Sequence, residues 1–191
     1  MSTDALEVVL ATTNAHKLEE FGRMLPPGGP LRLAALEHAI EVEEDADTFA
    51  GNARKKAVTV ARMTGRVALA DDSGLVVTAL DGRPGIHSAR YADTPEARIA
   101  RVLDELGATP DRRAAFVCAL CLAWPDGRLL ETEGRVEGSI TLEPAGAGGF
   151  GYDPVFHCPA LGCTLAEATP AQKDALSHRG RALEALLQQL A

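Results

Sequence analysis

The chain has 191 residues, 46% hydrophobic and 24% charged, values of an ordinary globular protein that exclude a disordered chain. Lys and Arg number 19 against 27 Asp and Glu, leaving a net charge of −8, which argues against tight, non-specific nucleic-acid binding. The longest apolar run, residues 114–124, falls well short of the ~18 residues that a membrane helix needs. Met1 to Asp4 carry no basic region followed by an apolar core, so no secretion signal is visible. Four cysteines are too few for a disulfide scaffold at this length. These features point to one soluble, cytoplasmic domain over residues 1–191, with reduced thiols and neither membrane nor nucleic acid as a partner.

Residues 7–12 form a short β-rich run, followed by a helical pattern over 16–25 that Pro26-Pro-Gly-Gly-Pro30 stops. Thr48 can cap a helix running to Thr64, which Gly65 ends. Residues 67–70 read as a buried strand leading into Asp71-Asp72-Ser73-Gly74, with a second strand over 75–79. Thr94 and Pro95 open a helix that reaches Leu106. Residues 116–124 and 129–136 flank Pro125-Asp-Gly127 as a hairpin. A glycine-rich loop covers residues 143–152, and a helix over 177–190 closes the chain, with Leu183, Leu186, Leu187 and Leu190 in helical register. The pattern is mixed α/β, and the hairpin argues against a purely parallel sheet.

Cys118 and Cys121 make a C-x-x-C, with Cys158 and Cys163 downstream. Residues three apart on a strand point to opposite faces. The first two therefore read as small buried hydrophobes rather than as ligands of one zinc ion.

Three regions carry chemistry. Thr12, Thr13, Asn14, Ala15, His16 and Lys17 join the first strand to a helix, where backbone N–H groups, the positive dipole end and one Lys can cradle a phosphate. The plainer alternative is that Thr13 or Asn14 only caps the helix and Lys17 is solvated. No Walker-type G-x-x-x-x-G-K-[ST] occurs. Asp71 and Asp72 end an apolar strand, where carboxylates need a cation or hydrogen bonds. Glu41, Glu43, Glu44, Asp45 and Asp47 form either a solvated loop or the source of a second carboxylate for Mg²⁺ beside Asp72. Residues 146–151 match G-x-G-x-x-G, but Pro154 forbids the helix a dinucleotide fingerprint opens. Phe150 and Tyr152 in that loop could stack on a planar base, and Lys173, His178 and Arg179 supply donors near the last helix.

In this order the motifs resemble the inosine triphosphate pyrophosphatase family, the XTP/dITP or non-standard purine NTP pyrophosphatases. The matching stretches are Leu10-Ala-Thr-Thr-Asn-Ala-His-Lys-Leu-Glu-Glu20, Ala70-Asp-Asp-Ser-Gly-Leu75, Pro84-Gly-Ile-His-Ser-Ala-Arg-Tyr91, Phe150-Gly-Tyr-Asp-Pro-Val-Phe156 and Ser177-His-Arg-Gly180. One departure is Thr13, where the family often carries Gly or Asn. The resemblance implies an α/β fold, an elongated mixed β-sheet with flanking helices forming two lobes around a central cleft, and a homodimer. It also implies Mg²⁺-dependent hydrolysis of a purine nucleoside triphosphate to the monophosphate and pyrophosphate. Carried over by position, Thr12 to Lys17 hold phosphates and Asp72 is the catalytic and metal-binding carboxylate. Glu43 helps with metal, preferred over Glu44 by its distance from Asp47-Thr48, and Ser73 touches substrate. Phe150, Gly151, Tyr152, Asp153, Lys173, His178 and Arg179 form the base pocket. Two rivals remain at this level: a nucleotide-binding protein without catalysis, and a related enzyme for pyrimidine triphosphates.

Overall fold

The computed structural model describes residues 5–34, 36, 38 and 40–190; residues 1–4, read above as lacking a secretion signal, lie outside the described residues. The described residues form seven strands and five α-helices, alternating as far as α3: β1 (Leu6–Leu10), α1 (Ala15–Met24), β2 (Leu31–Ala34), α2 (Phe49–Thr64), β3 (Ala68–Val77), α3 (Pro95–Leu106), β4 (Arg113–Ala123), β5 (Leu129–Ile140), β6 (Phe156–Cys158), β7 (Cys163–Thr164), α4 (Pro170–Leu176) and α5 (His178–Leu190). The strands form one sheet in the order β2-β1-β3-β4-β5-β6-β7. β1 pairs parallel with β2 and β3, whereas β5–β6 and β6–β7 are antiparallel. The fold is therefore mixed α/β, as the sequence leads one to expect.

The helix signals act where they stand. Thr48 accepts from the Gly51 N–H, and Gly65 ends α2 in the left-handed region at φ 65°. Thr94 accepts from the Ala97 N–H, with Pro95 in the first turn of α3. Four elements escape the sequence reading: β2, β6, β7 and α4. The three strands have four, three and two residues, too short for a two-residue period to register. For α4 a signal does exist, since Thr169 and Gln172 make a capping box around Pro170, the first helical residue. The strand expected over 67–70 and the one over 75–79 are also corrected. They are a single ten-residue strand, β3, because Asp71 and Asp72 find side-chain partners without a turn in the backbone.

Contacts divide the chain into two compact units. The first takes the chain through Asp72, Cys118–Gly134 and the stretch from Arg179 onward; the second takes Ser73–Val117 and Arg135–His178. In the first unit the strands bury both faces, and alternate residues feed two separate cores. Val8, Leu10, Leu69, Cys118, Leu120 and Leu122 pack with Phe21 of α1 and Ala182, Leu183 and Leu186 of α5. Val9, Ala68, Ala70, Ala119, Cys121 and Ala123 pack with Ala53, Ala57, Val60 and Ala61 of α2. Cys118 and Cys121 thus face opposite cores, and burial pushes both thiols up to about 12, so they stay protonated packing groups. In the second unit Leu75, Val77, Ile99, Val102, Phe116, Val136, Ile140 and Phe156 share one core. Among the described residues no helix is long and apolar enough to cross a membrane.

The docking of α5 gives a direct test. Leu186 is fully buried in the first unit's core, whereas Leu190 is only partly covered. Leu186→Ala is expected to cost about 2–5 kcal/mol in urea unfolding, and Leu190→Ala clearly less.

Candidate functional site

In the first unit the site grows from the two-residue period of β3. Consecutive side chains leave a strand on opposite faces. Leu69 lies in the core covered by α1 and α5, and Ala68 and Ala70 lie in the core covered by α2. Asp71 follows Leu69 to the first face and Asp72 follows Ala70 to the second. Both carboxylates are buried, so each must be compensated where it stands.

Asp71 is met by two cations. Lys17 Nζ lies 2.8 Å from its Oδ2, and an Arg179 guanidinium N–H reaches the same oxygen at 3.5 Å. Arg179, 1% exposed, also donates to Glu20 of α1. Burial alone would raise the Asp71 pKa, but Lys17, Arg179 and Lys56 together outweigh it and hold the carboxyl well below the usual range. One turn of α1 thus contributes Lys17 and Glu20, which meet Asp71 and Arg179 respectively.

Asp72 sits differently. The Asn52 side-chain amide donates to its Oδ2 at 3.0 Å, and Lys56 Nζ stands 3.8 Å from Oδ1. Lys56 in turn pairs with Glu44. Burial is the main influence on Asp72 and raises its pKa; Lys56 and the Asn52 hydrogen bond oppose it, while Glu44 adds to it. Asn52 does a second job, since its Oδ1 accepts the Ala46 N–H at 3.0 Å. That bond fixes which end of the amide faces Asp72 and fastens the acidic loop of residues 41–47 to α2. Glu44 is half-buried against Lys56, whereas Glu43 is exposed.

The sequence reading missed Asn52 and Lys56. They stand four apart on α2, on neighbouring positions to Ala53, Ala57 and Val60 of its apolar stripe. A polar pair beside a buried stripe was the available signal.

At the entry to α1, Asn14 is the N-cap and its Oδ1 accepts from the N–H groups of His16 (3.0 Å) and Lys17 (3.4 Å). Its own N–H donates to Thr12 Oγ1 at 3.2 Å. Thr13, Asn14, Ala15 and His16 are exposed. Asp81 is the only non-glycine among the described residues with positive φ, so Thr13 meets no demand that Gly would answer better.

The second unit holds Ser73, Phe150, Gly151, Tyr152, Asp153, Lys173 and His178. Asp153 is 2% exposed, and its Oδ2 accepts both the Phe150 N–H and the Lys173 ammonium, each at 2.7 Å. Lys173 Nζ also lies 4.7 Å from the centre of the Phe150 ring, a cation–π contact. Tyr152 is buried, with its hydroxyl donating to the Ser88 carbonyl at 3.0 Å. Ser88 Oγ accepts the Leu75 N–H, which ties the Pro84–Tyr91 motif to β3 and to this loop. His178 is buried and stacks on Phe116, centroids 4.8 Å apart and planes 12° apart. Ser73 is half-buried on β3.

Two carboxylates around one ammonium, Asp72 and Glu44 at Lys56, form a hard-oxygen set of the kind that suits Mg²⁺. Among the described residues no three His, Cys, Asp or Glu side chains gather as a metal site, but Mg²⁺ typically takes few protein oxygens and fills its shell with water and phosphate.

Comparison with known proteins fixes the lineage. The model of the Ham1 family matches residues 8–189. The chain belongs to the Ham1 family. The Ham1 relatives include a dITP/XTP pyrophosphatase of Thermosynechococcus vestitus, 50% identical over 181 residues, covering 94% of this chain and 93% of that one. A dITP/XTP pyrophosphatase of Prochlorococcus marinus is 52% identical over 187 residues, covering 96% and 92%. The solved Ham1 protein of Staphylococcus aureus matches with a TM-score of 0.86 at 39% identity, covering 96% of this chain and 97% of that chain.

Two predictions test two of the carboxylates that the Ham1 chain buries, Asp71 and Asp153. Because the folded chain lowers the Asp71 pKa, ionised Asp71 stabilises it above the unfolded value of about 3.9. That contribution is lost as pH falls through the folded value. Asp71→Asn is expected to lower stability at neutral pH and to flatten its decline below about pH 4, measured by urea unfolding across pH. In the second unit, a Cβ on Gly149 would lie 2.2 Å from Asp153 Oδ2, at φ 69°. Gly149→Ala is expected to destabilise by about 1–3 kcal/mol in thermal unfolding, because Asp153 must leave Phe150 or Lys173.

Proposed function

We propose that this chain hydrolyses non-standard purine nucleoside triphosphates, dITP, XTP and ITP, to the monophosphate and pyrophosphate. The observation that carries the reading is Asp72: a buried carboxylate with a raised pKa, oriented by Asn52 and facing Lys56. A protein that only bound nucleotides would gain nothing from burying that charge. The names of the Ham1 relatives, dITP/XTP pyrophosphatase, support the same substrate class.

In this reading Asp72 takes the proton of the water that attacks the α-phosphorus, and the burial that raises its pKa makes it the stronger base of the two acids. Lys17 and the entry to α1, Thr12 to His16, hold the phosphates. Asp71 fixes the Lys17 ammonium, so the cation is placed before substrate arrives. Asp72 and Glu44 are the oxygens that would hold Mg²⁺, with Glu43 the neighbouring alternative; bound there, the ion would offset charge on the departing pyrophosphate.

The base end falls to Ser73, Phe150, Gly151, Tyr152, Asp153, Lys173 and His178. Phe150 offers a ring for stacking, backed by Lys173. Hypoxanthine and xanthine present a 6-oxo acceptor where adenine presents an amino donor, so donors aimed there favour ITP and XTP. Asp153 accepts the N–H that a 6-oxopurine carries on its ring and adenine lacks. Arg179, held by Glu20 and Asp71, anchors the segment that carries His178. A homodimer acting on the cytoplasmic nucleotide pool completes the reading.

The test is a panel of nucleoside triphosphates with Mg²⁺, assayed separately for pyrophosphate and orthophosphate. ITP, dITP and XTP should give pyrophosphate, with kcat/KM on the order of 10²-fold above ATP. Orthophosphate as the first product would sink the mechanism. Asp72→Asn should lose turnover by on the order of 10²-fold or more, and near-normal turnover at saturating Mg²⁺ would move the base elsewhere.

A further inference from the structure

β6 and β7 pair antiparallel with His157 opposite Thr164 and Cys158 opposite Cys163. Directly opposed residues carry their side chains on one face of the ribbon. The Leu165 N–H donates to the Phe156 carbonyl at 3.0 Å, so 157–164 is a non-hydrogen-bonded pair and 158–163 the next, hydrogen-bonded one. Opposed Cα atoms at such a pair lie about 5.5 Å apart, inside the roughly 4.4–6.8 Å that a disulfide spans. The turn between them is closed by the N–H groups of Leu161 and Gly162, both donating to the Cys158 carbonyl at 3.0 Å, with Gly162 at φ 67°. Both cysteines are free thiols; Cys158 is buried and Cys163 is half-exposed. The contrast is with Cys118 and Cys121, which face different cores.

We propose that Cys158 and Cys163 are a dithiol–disulfide modification site that closes across the β6–β7 turn. The co-reactant is a low-molecular-weight disulfide. Cys163, the accessible member, gives its proton to solvent, and the thiolate attacks one sulfur of the small disulfide. That S–S bond breaks, one small thiol leaves with a proton, and a mixed disulfide stays on Cys163. Cys158 then gives up its proton and attacks Cys163 Sγ, expelling the second small thiol. Two protein thiols have been oxidised by two electrons, and one small disulfide has been reduced to two thiols.

The bridge would stand next to the anchor of the glycine-rich loop. Thr164 Oγ1 donates to the Ala145 carbonyl at 2.8 Å, and the Gly148 N–H donates to the Ala166 carbonyl at 2.9 Å. Closing 158 to 163 fixes the ribbon from which both bonds spring.

The full-length protein, equilibrated with oxidised glutathione and then alkylated and digested with trypsin, gives the test by mass spectrometry. Arg135 and Lys173 bracket one tryptic peptide, residues 136–173, which holds Cys158 and Cys163 and no other cysteine. The expected product is this peptide two hydrogens lighter, resistant to alkylation, and alkylated on both cysteines after dithiothreitol. Cys163→Ser, a change at a half-exposed position, should abolish the lighter peptide while the chain remains folded by circular dichroism. Two alkylated thiols after oxidation, a stable glutathione adduct on each cysteine, or disulfides linking two chains would each overturn the proposal. The wild-type digest decides without any variant.

Discussion

Burying two adjacent carboxylates on one strand is the constraint around which the first unit is arranged. β3 sends Asp71 to one face and Asp72 to the other, so no single cation can serve both closely. α1 and α5 bring Lys17 and Arg179 to Asp71, and α2 brings Asn52 and Lys56 to Asp72. The compensation is unequal. Asp71 receives two close cationic partners and its pKa falls; Asp72 receives an amide and one more distant ammonium, and its pKa rises. One sequence motif therefore yields one carboxylate held by close cations and one whose charge is less fully compensated.

The acidic loop follows from the same arrangement. Lys55 pairs with Asp45 and Lys56 with Glu44, while Asn52 takes the Ala46 N–H. Three side chains from one stretch of α2 thus hold Glu44, Asp45 and Ala46, the middle of the acidic run, close to the helix. The exposed pair adds little by itself. Lys56, mostly buried, is the one whose loss would leave Asp72 and Glu44 facing each other. In the second unit the equivalent economy is Asp153, whose Oδ2 orders the glycine-rich loop through Phe150 and anchors α4 through Lys173. Gly149 is required there because any Cβ would occupy the space of that oxygen.

Much of this was legible in the chain. The caps at Thr48, Gly65 and Thr94 mark helix ends locally, and the long apolar stretch of β4 announces a buried strand. The motif segments likewise carry the family. What the chain hid was pairing at a distance. Asn52 and Lys56 look like ordinary polar residues of an amphipathic helix until Asp72 is set beside them, twenty and sixteen positions away. Arg179 reads as a donor near a helix start, yet it bonds to Glu20 and Asp71, from the first helix and third strand. The split expected within β3 has the same origin. Two acids and a serine look like a turn when only neighbours are considered, and like a strand once the opposing helices supply the partners of the two acids.

These buried charges are weak evidence for stability as such. Desolvating an ion costs several kcal/mol, and a well-packed apolar replacement of a pair is often as stable or more so. The Glu20–Arg179–Asp71–Lys17 chain spans α1, β3 and α5, where the surrounding core is Leu, Phe and Ala. Apolar residues would have filled that space at lower electrostatic cost. Its retention makes sense if the last member must be a cation held in one place. Lys17 is the least buried of the four, its side chain 14% exposed, where that of Asp71 is 0% and of Arg179 1%. The chain of charges runs from the sealed interior to the Lys17 ammonium, its most exposed member, and each inner pair removes a direction in which that ammonium could otherwise turn.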